Sequence, residues 1–81
     1  MKYILFVRQE CSFCIKAQAL LKEKNFDHSV INFNESQKDI LQEIKDAHNW
    51  GTVPMIFCSS GSSIEFIGGY TDLVRFLESD E

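Results

Sequence analysis

No apolar run in this chain approaches the roughly 20 residues that a membrane-spanning helix requires. There is also no basic stretch leading into an apolar segment and a small-residue cleavage site, which argues against a secretory leader. Cysteine is scarce and odd in number, three in 81 residues, which does not suit the paired disulfide framework of a secreted scaffold. Eight Lys and Arg stand against twelve Asp and Glu, for a net charge of −4. The basic residues form no stripe, so a nucleic-acid partner is not expected. One proline and four glycines leave no low-complexity linker, and no internal repeat is present. These absences lead us to expect a single cytoplasmic domain over residues 1–81. A chain this short buries only about 60–65% of its unfolded surface, and its seven Phe are the obvious large core pieces.

What is present is concentrated in Cys11-Ser12-Phe13-Cys14. The segment follows the apolar run Tyr3–Val7 and opens a helical pattern. Two thiols separated by two residues at a strand-to-helix junction can meet within the first turn. A cysteine at a helix start faces unpaired N–H groups and the positive end of the dipole, both of which favour the thiolate. The thiolate is the species that attacks a disulfide. Cys11 comes first and is the expected nucleophile; Cys14 is expected to be more buried.

The remaining elements follow from periodicity. Lys2–Val7 is apolar on both faces and is expected to be a central strand. A helix is predicted from about Ser12 to Lys24, with Asn25 as a left-handed stop. Phe26–Phe33 alternates imperfectly, as an edge strand does. Asn34 or Ser36 can cap a second helix, Ser36 with Asp39 resembling a capping pair. Its apolar face would hold Ile40, Leu41, Ile44, Ala47 and His48, and Gly51 would end it. Pro54–Cys58 and Ile64–Ile67 form a hairpin about the turn at Ser59–Ser63. Thr71 can cap a last helix carrying Leu73, Phe76 and Leu77. The order is βαβ, then α, then ββ, then α: an α/β chain with a four-stranded mixed sheet, three helices and a right-handed first crossover.

Three segments together resemble the glutaredoxin family, in particular the small dithiol members of bacteria and their phages. They are the C-x-x-C at Cys11–Cys14 with Arg8 three residues before it, Thr52-Val53-Pro54, and Gly68-Gly69-Tyr70-Thr71-Asp72. The resemblance covers nearly the whole chain and implies a thioredoxin-like fold. It also implies a glutathione groove drawn from Arg8, Phe13, Thr52, Val53, Pro54, Gly69, Tyr70, Thr71 and Asp72. Arg8 would meet a glutathione carboxylate, and Val53 would pair with the tripeptide backbone beside a cis Pro54. Tyr70 would wall the groove, and Thr71 and Asp72 would hold the γ-glutamyl end. Four residues depart from the family pattern. Ser12 replaces a common Pro, Phe13 replaces Tyr, Glu10 places a carboxylate beside the nucleophile, and Trp50 resembles the W-P-T-x-P of the monothiol branch.

The implied activity is glutathione-dependent thiol–disulfide exchange through Cys11 and Cys14. Glutathione would be the reductant, and the clients would be disulfide-bonded or glutathionylated proteins, ribonucleotide reductase among the family's. The chain is expected to act as a monomer, without membrane or metal. Two alternatives stand beside this reading. One is a [2Fe–2S] carrier ligated by Cys11 and glutathione from two subunits; the other is a thioredoxin-like electron donor. A structural zinc site would need four ligands. Only Cys58, His28 and His48 remain, with no second tight pair, so Cys58 is expected to be a buried thiol and the two histidines ordinary ones.

Overall fold

The computed structural model describes residues 1–79. The chain runs β1 (Lys2–Val7), α1 (Ser12–Glu23), β2 (His28–Asn32), a 3-10 turn (Glu35–Gln37), α2 (Lys38–Ala47), β3 (Met55–Ser60), β4 (Ser63–Gly68) and α3 (Tyr70–Ser79). The four strands form one mixed sheet in the order β2-β1-β3-β4. β1 pairs parallel with β2 and antiparallel with β3, and β3 pairs antiparallel with β4. This is the expected α/β architecture, with β1 central.

β1 is central because it is apolar on both sides. Tyr3, Leu5 and Val7 join a core with Cys14, Ala17 and Leu21 of α1, Ile56 and Cys58 of β3 and Leu73 of α3. Ile4 and Phe6, on the alternate positions, pack against a second core of Phe33, Leu41, Met55 and Phe57. Alternation sends successive side chains to opposite faces, so one six-residue strand nucleates both cores. Phe6 meets Phe33 edge-to-face and Phe57 at a tilt, at centroid distances of 5.3 and 5.0 Å.

The edges of the elements depart from expectation in instructive ways. β2 is shorter than Phe26–Phe33 and leaves Val30 and Ile31 exposed, in keeping with its place at the sheet edge. Asn25 does take the left-handed conformation after α1, with φ 61°. The second helical segment begins as a 3-10 turn, and Ser36 with Asp39 does not cap it. Instead the Asn34 amide donates to Gln37 Oε1 at 3.0 Å, and Ser36 Oγ donates to Asn34 Oδ1 at 2.6 Å. The buried face of α2 is narrower than its sequence pattern. Leu41 is buried and Ile44 half-buried, but Ile40 is 54% exposed and Ala47 lies in solvent. Asn49 (φ 52°), rather than Gly51, turns the chain out of α2, and the Trp50 amide closes the end on the Lys45 carbonyl at 2.8 Å. Pro54 precedes β3 by one residue, so the strand has no missing N–H donor. The β3–β4 turn contains Gly61 at φ 61°.

Thr71 does not cap α3, because the helix already begins at Tyr70. The capping side chain is Asp72, whose Oδ2 accepts the Gly69 amide at 2.9 Å. Its carboxylate therefore sits at the positive end of the helix. Among the described residues no helix is long and apolar enough to cross a membrane.

Candidate active site: a dithiol at a helix start beside an open cleft

β1 delivers the chain to Glu10, which takes a left-handed φ of 55°. That costs a non-glycine residue about 1–2 kcal/mol, and it turns the backbone so that Cys11 becomes the cap residue of α1. Cys11 is extended (φ −114°, ψ 104°), and its Sγ accepts the Cys14 amide at 3.1 Å. Cys11 and Cys14 form a disulfide, with Cα atoms 5.2 Å apart. Cys11 is half-buried, while Cys14 is 2% exposed and embedded in the core. Helical geometry accounts for the contrast, since Cys14, Ala17 and Leu21 lie along one stripe of α1.

The loop after α2 brings Val53 to the dithiol. The Val53–Pro54 peptide bond is cis, and the Val53 carbonyl oxygen lies 3.8 Å from Cys11 Sγ. From there an open cleft of about 290 Å³ extends along Phe13, Trp50, Thr52, Val53, Pro54, Gly69, Tyr70, Thr71 and Asp72. Three separate segments of sequence thus converge on one concavity. The Phe13 and Tyr70 rings, both lining it, lie against each other with centroids 6.1 Å apart. Lys16 Nζ sits 5.2 Å over the Phe13 ring, a cation–π contact that steadies an aromatic side chain 52% exposed.

The Asp72 end of the cleft is built on Gly68 and Gly69. Gly68 has φ 125°, and a Cβ placed there would lie 2.6 Å from Asp72 Oδ2. Only glycine accepts both the backbone conformation and the overhanging carboxylate. Trp50 closes the other wall, its indole edge 3.7 Å from where a Cβ on Gly69 would lie. Its ring meets Phe66 edge-to-face at 5.3 Å, and its Nε1 is buried with no hydrogen-bond acceptor among the described residues. Trp50 is the cleft residue that the sequence pattern alone did not place in the groove set, although its nearness to Thr52-Val53-Pro54 was a usable signal.

Arg8 is not among the residues lining the cleft. Its Nη1 donates to the Asn34 carbonyl at 3.1 Å and its Nη2 to Glu35 Oε2 at 3.0 Å. Lys38 Nζ pairs with the other Glu35 oxygen at 3.3 Å. The hydrogen bonds from Arg8 and then Lys38 hold the Glu35 carboxyl below its ordinary pKa of 4.5. Arg8 therefore braces the segment before Cys11 against the β2–α2 connection. Glu10 is exposed, so its charge is solvated and screened. The two histidines bond to backbone of their own segments. His28 Nδ1 donates to the Phe26 carbonyl and His48 Nδ1 to the Ile44 carbonyl, each at 2.9 Å. Cys58 is buried on β3.

A thiol pair at a helix start, one sulfur reachable and one sealed in the core, is equipped for disulfide exchange. Comparison with known proteins agrees. The sequence model of the glutaredoxin family matches residues 3–62. Glutaredoxin-1 of Bos taurus is 34% identical over 88 aligned residues, covering 99% of this chain and 76% of that protein. Glutaredoxin 1 of Rickettsia typhi is 36% identical over 80, covering 95% and 70%. The solution structure of a glutaredoxin from Brucella melitensis superposes with a TM-score of 0.75 at 25% identity, over 98% of this chain and 80% of that one. The crystal structure of glutaredoxin 1 from Francisella tularensis gives 0.68 at 25% identity, over 98% and 94%. With its thioredoxin-like sheet, its Cys11–Cys14 disulfide and these relatives, the chain belongs to the glutaredoxin family of thiol–disulfide oxidoreductases.

Proposed function

We propose that the cleft beside Cys11 takes glutathione and that the chain spends glutathione thiols to reduce protein disulfides and glutathione mixed disulfides. The observation that carries this reading is the joint placement of Cys11 Sγ, the Val53 carbonyl 3.8 Å away and the cleft that starts there. A peptide thiol lying along Val53 would bring its sulfur to Cys11 while its main chain pairs with the backbone, as an added strand does. Tyr70 and Phe13 would cover its length. Thr71 and the N-terminal amides of α3 would receive its α-carboxylate, and the outer oxygen of Asp72 would accept from its ammonium.

Two routes follow. In the first, the Cys11 thiolate attacks the glutathione sulfur of a mixed disulfide and expels the protein thiolate. A second glutathione then attacks at the glutathionylated Cys11, releasing oxidised glutathione and the Cys11 thiolate. In the second, Cys11 attacks a protein disulfide and expels one client thiolate. Cys14 then attacks Cys11 Sγ and expels the other, leaving the Cys11–Cys14 disulfide. Two glutathiones return the pair to thiols.

The helix start favours the attacking thiolate in two ways. Its dipole contributes roughly 0.3–1 kcal/mol at an exposed end. A direct N–H bond to a charged acceptor, such as the one from Cys14, contributes about 1.5–3 kcal/mol. The deciding experiment is turnover of a glutathionylated protein by the reduced chain. Glutathione with its reductase should sustain the reaction, and thioredoxin reductase alone should not. The opposite pattern would replace glutathione by a thioredoxin-like supply of electrons.

A further inference from the structure

The nucleophile is bordered by apolar surface that the cleft does not use. Ile15 follows Cys11 by four residues, one turn on from the cap residue of α1. Its amide closes that turn on the Cys11 carbonyl at 3.2 Å. The Ile15 side chain is 66% exposed and is not among the residues lining the cleft. An exposed isoleucine gains little from burial and is a weaker helix former than Leu, Lys or Gln. Other isoleucines are exposed as well, Ile40 and Ile64 among them, but Ile15 is the one that stands a turn from the reacting sulfur.

The two kinds of disulfide meet this surface differently. A small disulfide, or one whose bulk lies in the cleft, reaches Cys11 Sγ from the Val53 side and leaves Ile15 uncovered. A polypeptide carries main chain on both sides of its cysteine. One side can follow the cleft, but the other must pass over the start of α1. The residue flanking the client cysteine then lies against Ile15. The charged neighbours, Glu10 and Lys16, are exposed on either side in sequence, so the contact would have an apolar centre and a polar rim, as protein interfaces do.

We propose that Ile15 is a specificity-determining residue for polypeptide disulfides, taking an apolar side chain that flanks the client cysteine. This rests on disulfide exchange at Cys11 and Cys14 and is independent of the glutathione assignment. Cys11 thiolate bonds to one client sulfur and the other leaves as thiolate. Cys14 then displaces the first, so two electrons pass from the dithiol to the client and the Cys11–Cys14 bond forms.

The test needs no glutathione. Protein reduced in advance and freed of reductant is mixed with three oxidants in single turnover. One is a disulfide-cyclised peptide with Leu beside a cysteine, one is the same peptide with Ser there, and one is bis(2-hydroxyethyl) disulfide. The rate of Cys11–Cys14 closure is read by mass spectrometry after acid quenching. The native chain should favour the Leu peptide over the Ser peptide by about tenfold, which is about 1.4 kcal/mol and within what partial burial of an isoleucine and its partner supplies. Ile15→Gln should erase that preference and leave bis(2-hydroxyethyl) disulfide unaffected, while Ile15→Leu should keep both. A preference that survives Ile15→Gln would overturn the proposal. So would an equal loss on all three oxidants, which would make Ile15 a support for the helix start.

Discussion

Asp72→Asn separates two jobs that one carboxylate is asked to do. Oδ2 accepts the Gly69 amide at 2.9 Å and so caps α3. The other oxygen is the proposed acceptor for the glutathione ammonium. The substitution keeps the size of the side chain, and the amide oxygen can still take the Gly69 N–H. What the cap loses is charge at the helix N-terminus, about 0.3–1 kcal/mol. In a domain this small, each kcal/mol moves Tm by about 4–8 °C, so a fall of a few degrees is expected. What the ligand loses is a hydrogen bond to a charged group within a partly buried cleft, roughly 1–3 kcal/mol. That is about 5- to 150-fold in KM for glutathione, at 1.4 kcal/mol per tenfold. Thermal unfolding, glutathione-dependent turnover and alkylation of Cys11 by a small neutral reagent should be measured on the same preparations. The expected pattern is a small Tm shift, a large rise in KM and an unchanged alkylation rate. A KM that stays put while Tm falls would reduce Asp72 to a helix cap and remove the γ-glutamyl assignment.

Cys11→Ser should abolish both reductase routes, since a hydroxyl is no nucleophile near neutral pH, whereas Cys14→Ser should lose reduction of protein disulfides and largely keep deglutathionylation; parallel assays on the two substrate types check this. Gly68→Ala should destabilise by about 1–3 kcal/mol through its φ of 125° and the contact with Asp72, and adding Asp72→Ala should recover only part of the loss, because the backbone strain remains; chemical denaturation of both variants decides. Glu35, held below 4.5 by Arg8 and Lys38, stabilises the fold above the unfolded carboxylate value, and that contribution is lost as pH falls through the lower folded value. Glu35→Gln should therefore flatten the loss of stability as pH falls below the ordinary carboxylate range, without a large change at pH 7, as expected of an exposed pair; an unchanged acid profile would discard the brace.

Signals local to a few residues were the readable ones. β1 announced its central position because both of its faces are apolar, and Asn25 marked a left-handed stop that the structure uses. The dithiol could be read from its spacing at a strand-to-helix junction, and the cleft segments from the resemblance of two further short runs to the glutaredoxin family. What could not be read depends on partners distant in the chain. Arg8 meets Glu35, 27 residues away, and nothing in the two residues between Arg8 and Cys11 indicates that pairing. Ile40 shares the helical period of Leu41 and Ile44, yet only those two join the core and Ile40 stays 54% exposed. The capping errors share a cause. Asn34 and Ser36, or Gly69 and Thr71, are equally competent start residues, and the choice between them falls to Asn34 and Gly69 because the side chains of Gln37 and Asp72 reach back to their amides.

The sealing of Cys14 in the core gives the sulfur chemistry a built-in sense of direction. At 2% exposure, and packed with Ala17 and Leu21, Cys14 offers an incoming disulfide no line of approach, so every covalent encounter with a client must begin at Cys11. Once that bond exists, the sulfur within reach of Cys14 is the one just used, because Cys11 caps the same helical turn. A client cannot be captured through the wrong cysteine, and a stalled complex has one connectivity. The packing that stabilises α1 against the sheet thus also enforces the order in which bonds are exchanged. Loosening that packing, for instance by Leu21→Ala, should show itself as client adducts on Cys14 as well as in a lower melting temperature.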